Sequence, residues 1–242
     1  MKIIGVIPAR YESSRFPGKP LIDLKGKSMI QRVYEGAKQC NQFEQVIVAT
    51  DDIRIFDEVR SFGGEVMMTS LSHQTGTDRC GEVAVNYDCD VVINIQGDEP
   101  LVDYRQLDQL CQAFKEKSVE IATLGIKNVS KEDLFNKNRI KIVLNEQDEA
   151  LYFSRSAVPN FDNAKREDVE AYPFLRHIGL YGYRAETLKK LISLKPTTLE
   201  KIESLEQLRW LYYGFKIKVI ETEIETPNID VPEDVKLVLS FL

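Results

Sequence analysis

Three cations crowd a short stretch near the amino terminus. Residues 8–21 read Pro-Ala-Arg-Tyr-Glu-Ser-Ser-Arg-Phe-Pro-Gly-Lys-Pro-Leu, which puts Arg10, Arg15 and Lys19 within ten residues, with Ser14 and Gly18 among them. Arginine offers phosphate oxygens a planar fork and lysine a compact charge. A glycine lets main chain come close to a phosphate. The stretch is neither GxxxxGK[ST] nor GxGxxG, so it reads as a phosphate-binding loop of another kind, with a solvated basic loop as the alternative. A second feature is acidic: Gln96-Gly97-Asp98-Glu99-Pro100 follows an apolar run and exposes Asp98 at its end. A carboxylate beside a polyphosphate adds repulsion unless a divalent cation sits between them, and Mg²⁺ favours one or two carboxylates plus phosphate oxygens and water. Alone, Asp98 fits a turn or helix cap equally well, and Glu99 reads as structural. Asp230 precedes Pro232 by two residues and suits helix entry as well as a metal.

On the other side of the chemistry, His177, Gly179, Tyr181 and Tyr183 alternate onto one strand face. That face reads as a sugar-sized pocket or as a buried aromatic layer. Arg155 could grip a carboxylate with its fork, or form a surface ion pair. Glu206 and Gln207 face away from Leu205 and Leu208 and read as solvated.

The elements that must carry these residues alternate. Ile3–Ile7 is a continuous apolar run, as in a strand covered on both faces. Strands follow at 45–49, 65–68, 91–95 and 121–126, with helical patterns at 28–39, 52–61, 76–87 and 103–116. Such βαβα alternation predicts an α/β fold with a mostly parallel sheet and helices on both faces. After about residue 130 strands succeed one another at 139–144, 150–154 and 177–183, around a polar, turn-like 160–172. This predicts antiparallel pairing in a small mixed α+β subdomain. A helix face at 205–212, a strand at 217–220 and a helix at 232–241 close the chain. The expected division is a core of 1–130 with 216–242, and a subdomain of 131–215.

The 242 residues suffice for a sizeable core without disulfides or metals. No apolar run approaches the roughly 18–20 residues of a membrane span, and the start is too short for a signal peptide. The four cysteines lack CxxC spacing, so a reduced, cytoplasmic protein is expected. Only two histidines are present, which excludes a multi-His metal site. The net charge of −6 argues against a nucleic-acid partner. It is uneven: residues 1–40 carry eight Lys/Arg against three Asp/Glu, or +5, leaving −11 for the remainder.

The basic stretch resembles the signature of CTP-dependent sugar nucleotidyltransferases, in particular the 3-deoxy-manno-octulosonate (Kdo) cytidylyltransferase family. Six further stretches support it: 68–79 with His73-Gln74-Thr75-Gly76-Thr77-Asp78-Arg79, 94–100, 150–155, 175–184, 205–209 and 230–234. The resemblance implies a Rossmann-like nucleotidyltransferase fold, CTP and an acidic eight-carbon sugar as partners, Mg²⁺ as cofactor and a homodimer. It implies that Asp98 and Asp230 hold the metal, and that Arg10, Arg15, Lys19, Asp98 and Asp230 carry catalysis. Ala9, Arg10, Ser14, Arg15, Lys19, Gln74, Gly76, Arg79 and Gln96 become nucleotide-side candidates. His73, Arg155, His177, Tyr181 and Gln207 become sugar-side candidates, and Trp210-Leu211-Tyr212-Tyr213 an apolar dimer contact or core. Arg139, in Asn136-Lys137-Asn138-Arg139, departs from the family's apolar residue and adds charge near the sugar side. A cytidylyltransferase for 8-amino-Kdo or a sialic acid, and a non-catalytic nucleotide binder of the same fold, are the alternatives.

Overall fold

The computed structural model describes residues 1–12, 16–127 and 130–242. In chain order the elements are β1 (Ile3–Ala9), α1 (Met29–Ala37), β2 (Gln45–Thr50), α2 (Ile53–Ser61), β3 (Glu65–Met68), α3 (Gly76–Asn86), β4 (Val91–Asn94), α4 (Tyr104–Ala113), β5 (Ile121–Ile126), α5 (Lys131–Phe135), β6 (Lys141–Leu144), β7 (Ala150–Ser154), α6 (Arg166–Ala171), β8 (Leu175–Arg184), α7 (Ala185–Leu191), α8 (Thr198–Glu203), α9 (Gln207–Tyr212), β9 (Lys218–Thr222) and α10 (Asp234–Leu239).

The central sheet runs β3-β2-β1-β4-β8-β5-β9, and the hairpin β6–β7 joins it where β6 pairs with β8. Pairing is parallel from β3 to β4 and again between β5 and β9. The strand runs are apolar on both faces because both are covered. Ile3 and Ile7 of β1 face a core shared with α1, α2 and α4, while Ile4 and Val6 face α3, α7 and α9.

The chain steps outward from β1 to β2 to β3, then returns to set β4 on the other flank of β1. The loops leaving β1 and β4 therefore part in opposite directions and open a crevice at the carboxyl edge, where open α/β sheets take ligands. The loop after β1 is also tied to the chain terminus. Leu24 and Met29 share a small third core with Ile229 and Val238, all four fully buried, which brings residues 229–230 beside the crevice.

The segment 131–215 is divided between two settings. β8 lies inside the central sheet, antiparallel to β4 and β5, and α7 packs with α3. The β6–β7 hairpin stands off the main path. The four helices α5 to α8 have five to seven residues each. That is under two turns, too short to show a 3.6-residue period in the sequence. Ser130 and Thr197 mark two of the starts, each accepting from a main-chain N–H of the first turn.

Candidate functional site

The loop after β1 leads into a single 3₁₀ turn at Lys19–Leu21. Gly18 adopts φ 72°, and its N–H donates to Tyr11 O at 2.9 Å. A Cβ at Gly18 would lie 3.1 Å from the Tyr11 ring, so only glycine meets both the left-handed backbone and the contact. The Arg54 guanidinium covers the same ring at 3.2 Å. This fold of the loop aims Lys19 inward. Its Nζ donates to Asp98 Oδ2 at 2.8 Å and to Ile229 O at 2.8 Å, while Ile229 N–H donates to Asp98 O at 3.0 Å. One lysine thus fastens the end of β4 to the residue before Asp230. At Gly97, a Cβ would stand 2.8 Å from Pro8 O; a side chain there would push apart the ends of β1 and β4.

Two cavities meet at this point. The smaller, ≈ 230 Å³, is lined by Ala9, Arg10, Lys19, Gln74, Gly76 and Arg79, among others. The larger, ≈ 600 Å³, includes Asp230, His177, Tyr181, Gln207 and Arg139. Gln96 and Asp98 line both. Gln96 is oriented by its Nε2, which donates to Gly179 O at 2.9 Å.

The wall of the smaller cavity is preorganised. Thr75 caps α3 in a capping box with Asp78, and Gly76 opens the helix with its main chain toward the cavity, a favourable end for anions. Arg79 is buried and bonds to Asp51 and to Thr69 Oγ1 (2.7 Å). Gln74 Nε2 donates to Ser72 O at 2.9 Å. His73, expected on the sugar side, lines this cavity instead and meets Glu82 Oε2 at 2.5 Å through Nε2. Ser14 and Arg15 lie outside the described residues.

In the larger cavity, the alternating face of β8 is a pocket wall at one end and an aromatic layer at the other. A bulge opposite Thr123/Leu124 takes in two residues of β8 and so preserves the alternation. Tyr183 is fully buried and stacks with Tyr181 at 5.9 Å, both against Trp210. His177 Nε2 meets Thr123 Oγ1 at 2.9 Å, and that hydroxyl donates to Leu180 O at 2.8 Å. The hydroxyl proton is therefore used, so His177 donates from Nε2. Burial first, and Arg176 second, push its pKa down to about 3.

Besides His73, the side chains of Arg155, Gln207 and Glu206 are placed differently from the sequence expectation. Arg155 is not among the residues lining the larger cavity; its guanidinium donates to the main-chain oxygens of Glu203, Lys137 and Ser204. Gln207 is buried rather than solvated, and Glu206 accepts from Thr77 Oγ1 at 2.7 Å, its carboxyl pushed up by burial. Helix α9 begins only at Gln207, so a wheel drawn through Leu205 misplaces both. Trp210 belongs to the core, whereas Tyr212 and Tyr213 are exposed. Glu99, beside Asp98, is also buried; among the described residues its Oε2 has no hydrogen-bond partner, and burial and Asp98 push its carboxyl up to about 8.

A divalent cation fits the donor set. Asp98 and Asp230 line one cavity and are all-oxygen donors, leaving the remaining positions to phosphate and water. Among the described residues no cluster of three or more His, Cys, Asp or Glu forms a protein-enclosed metal cage. No helix among them is long and apolar enough to cross a membrane.

The family described as Cytidylyltransferase matches residues 4–219. A relative from Parabacteroides distasonis named 3-deoxy-manno-octulosonate cytidylyltransferase is 51% identical, over 100% of this chain and 98% of its own. A solved structure of CMP:2-keto-3-deoxy-manno-octonic acid synthetase complexed with CTP aligns at TM-score 0.93 with 40% identity, over 100% of this chain and 98% of that one. A cytidylyltransferase from Leptospira borgpetersenii, 19% identical over 100% of this chain and 88% of its own, shares the fold at TM-score 0.66.

Proposed function

This chain belongs to the cytidylyltransferase family, and from that premise we propose that it couples CTP to the anomeric hydroxyl of 3-deoxy-D-manno-octulosonate. The products are CMP-Kdo and pyrophosphate, the activated sugar serving lipopolysaccharide synthesis. One observation carries this: two cavities, one lined by Arg10, Lys19 and Arg79 and one by five amide side chains with Arg139 and Arg176, share Gln96 and Asp98 as their common wall.

CTP occupies the smaller cavity, its phosphates facing Arg10, Lys19 and the main chain at Gly76. The sugar occupies the larger, against His177, Tyr181 and Gln207. Its anomeric oxygen forms a bond to the α-phosphorus, the bond from that phosphorus to the bridging oxygen breaks, the hydroxyl proton is released and pyrophosphate leaves. Positioning and electrostatics provide most of the acceleration. Lys19 keeps Asp98 and the Ile229–Asp230 backbone at fixed spacing and offsets the charge on the leaving group. Gln96, anchored on Gly179 O, separates the two reactants' seats. Asp98 and Asp230 would hold a divalent ion, Mg²⁺ in our reading, which when bound neutralises the α-phosphate and lowers the pKa of the attacking hydroxyl. In the homodimer we assign Tyr212 and Tyr213 to the contact, and the enzyme to the cytoplasm.

The test is a panel of Kdo, 8-amino-Kdo and a sialic acid against CTP, UTP and ATP, read as pyrophosphate release. Kdo with CTP gives the highest kcat/KM. A higher value for 8-amino-Kdo would reassign the sugar, and CTP binding without pyrophosphate release would return the chain to a mere nucleotide binder.

A further inference from the structure

Lys141 is fully buried, yet among the described residues no carboxylate bonds to it. Its Nζ donates to three main-chain oxygens: Asn136 O at 2.9 Å, Arg139 O at 2.6 Å and Arg155 O at 2.6 Å. An ammonium has three protons and no acceptor, so this set is complete. Two of the three oxygens belong to the loop 136–140, whose Asn136, Asn138, Arg139 and Ile140 line the larger cavity. The third belongs to Arg155, which extends the knot. Arg155 Nη1 donates to Lys137 O at 3.0 Å, Nε to Glu203 O at 2.6 Å and Nη2 to Ser204 O at 3.2 Å. Glu203 returns the bond, one carboxylate oxygen accepting from Arg155 N–H at 3.0 Å and the other from Ser154 Oγ at 2.9 Å.

Ser204, held by Arg155, has φ 52°. A non-glycine residue in the left-handed region persists only where its surroundings hold it. Leu205 and Gln207, which follow it, line the same cavity as the 136–140 loop. The two walls lie more than sixty residues apart in sequence, and the described bonds that cross between them at this point are those of Arg155.

We propose that Lys141 and Arg155 are positioning residues, a two-cation clasp on main-chain oxygens that sets the spacing of the two loops walling the larger cavity and so sets affinity for the sugar without touching it. This rests on the assignment of that cavity to the sugar.

The experiment compares Arg155→Met, Arg155→Lys, Lys141→Met and Gln207→Ala in the full chain by steady-state kinetics with Kdo and with its carboxamide. Arg155→Met raises KM for Kdo by about tenfold or more, since misplacing a site wall by about 1 Å costs up to two orders of magnitude. KM for CTP stays within about twofold, and Arg155→Lys, which keeps charge but not the fork, falls between. The fold loss is equal for the carboxamide; a loss confined to the acid would mean Arg155 grips the carboxylate directly and would overturn the clasp. Lys141→Met gives the same split, and the double variant is no worse than the more severe single one, because both act on one pair of loops. Arg155 is half-exposed, so its variants serve where Lys141→Met fails to accumulate. An unchanged KM for Kdo in Arg155→Met alongside a raised one in Gln207→Ala defeats the clasp alone. An unchanged KM in both defeats the cavity assignment, and the clasp with it. Both KM values rising together in Arg155→Met marks a general structural role and also overturns it.

Discussion

The two cavities are made by different means. The smaller is walled by contiguous stretches at strand ends: the loop after β1, the start of α3, the end of β4. Each stretch carries its own local device, such as the Gly18 turn or the Thr75–Asp78 capping box. The larger is walled by pieces from five separate parts of the chain, 96–99, 136–140, 176–181, 205–207 and 226–234, and cations on main-chain oxygens fasten three of these parts. The first kind of wall survives changes elsewhere in the protein. The second depends on contacts between remote segments, so distant substitutions should reach the sugar more readily than the nucleotide.

The strongest way to probe this contrast is at the shared wall. Asp98→Asn should lower kcat by about 10³-fold, the scale of removing one electrostatic stabiliser, while CTP binding measured by calorimetry is retained; unimpaired turnover would remove Asp98 from the chemistry. Next comes Lys19→Met, which releases both Asp98 and Ile229 O. It should cost about 10²-fold in kcat/KM for both substrates, because Lys19 serves both cavities; a loss confined to one substrate would separate them. Gln207→Ala, on the larger cavity only, should raise KM for the sugar about tenfold with KM for CTP unmoved, as expected when buried polar partners are left unmet. A matching rise for CTP would blur the division.

A last effect is in stability rather than turnover. His177 is neutral in the fold with a pKa near 3, below the ordinary 6.5. The unfolded chain therefore binds the extra proton first, so this contribution is complete above pH 6.5 and is lost as the pH falls toward 3. Unfolding at pH 7 and pH 5 should show the wild type losing about 2 kcal/mol more than His177→Gln. Equal losses would mean that the ring is not held neutral.

The same contrast governs what the sequence reveals. Lys19, Asp98 and the strand ends are legible because their partners follow from position: a loop leaving a buried parallel strand faces the crevice. The larger cavity is less so. Arg155 reads as a fork for a carboxylate because nothing in its neighbours announces three carbonyl oxygens. Lys141 reads only as a strand residue. Gln207 and Glu206 are misread because the helix start lies two residues later than the apolar spacing suggests. Asp230 is ambiguous until Ile229 is seen buried against Leu24 and Met29; the apolar residue before it was the available signal.

The antiparallel course of β8 has a further consequence, in the entropy of recognition. A parallel strand would present its carboxyl end and a loop at the active edge. β8 instead delivers its first half there, Arg176 to Gly179 with Tyr181 beyond, while its far end is pinned by Arg184 to the main-chain oxygens of Phe114, Glu116 and Val119. Side chains on a strand paired along both edges are ordered before any ligand arrives. The sugar that meets them incurs little of the freezing cost that a loop-borne site exacts. That cost falls on the flanking loops, and the buried cations spare most of it there.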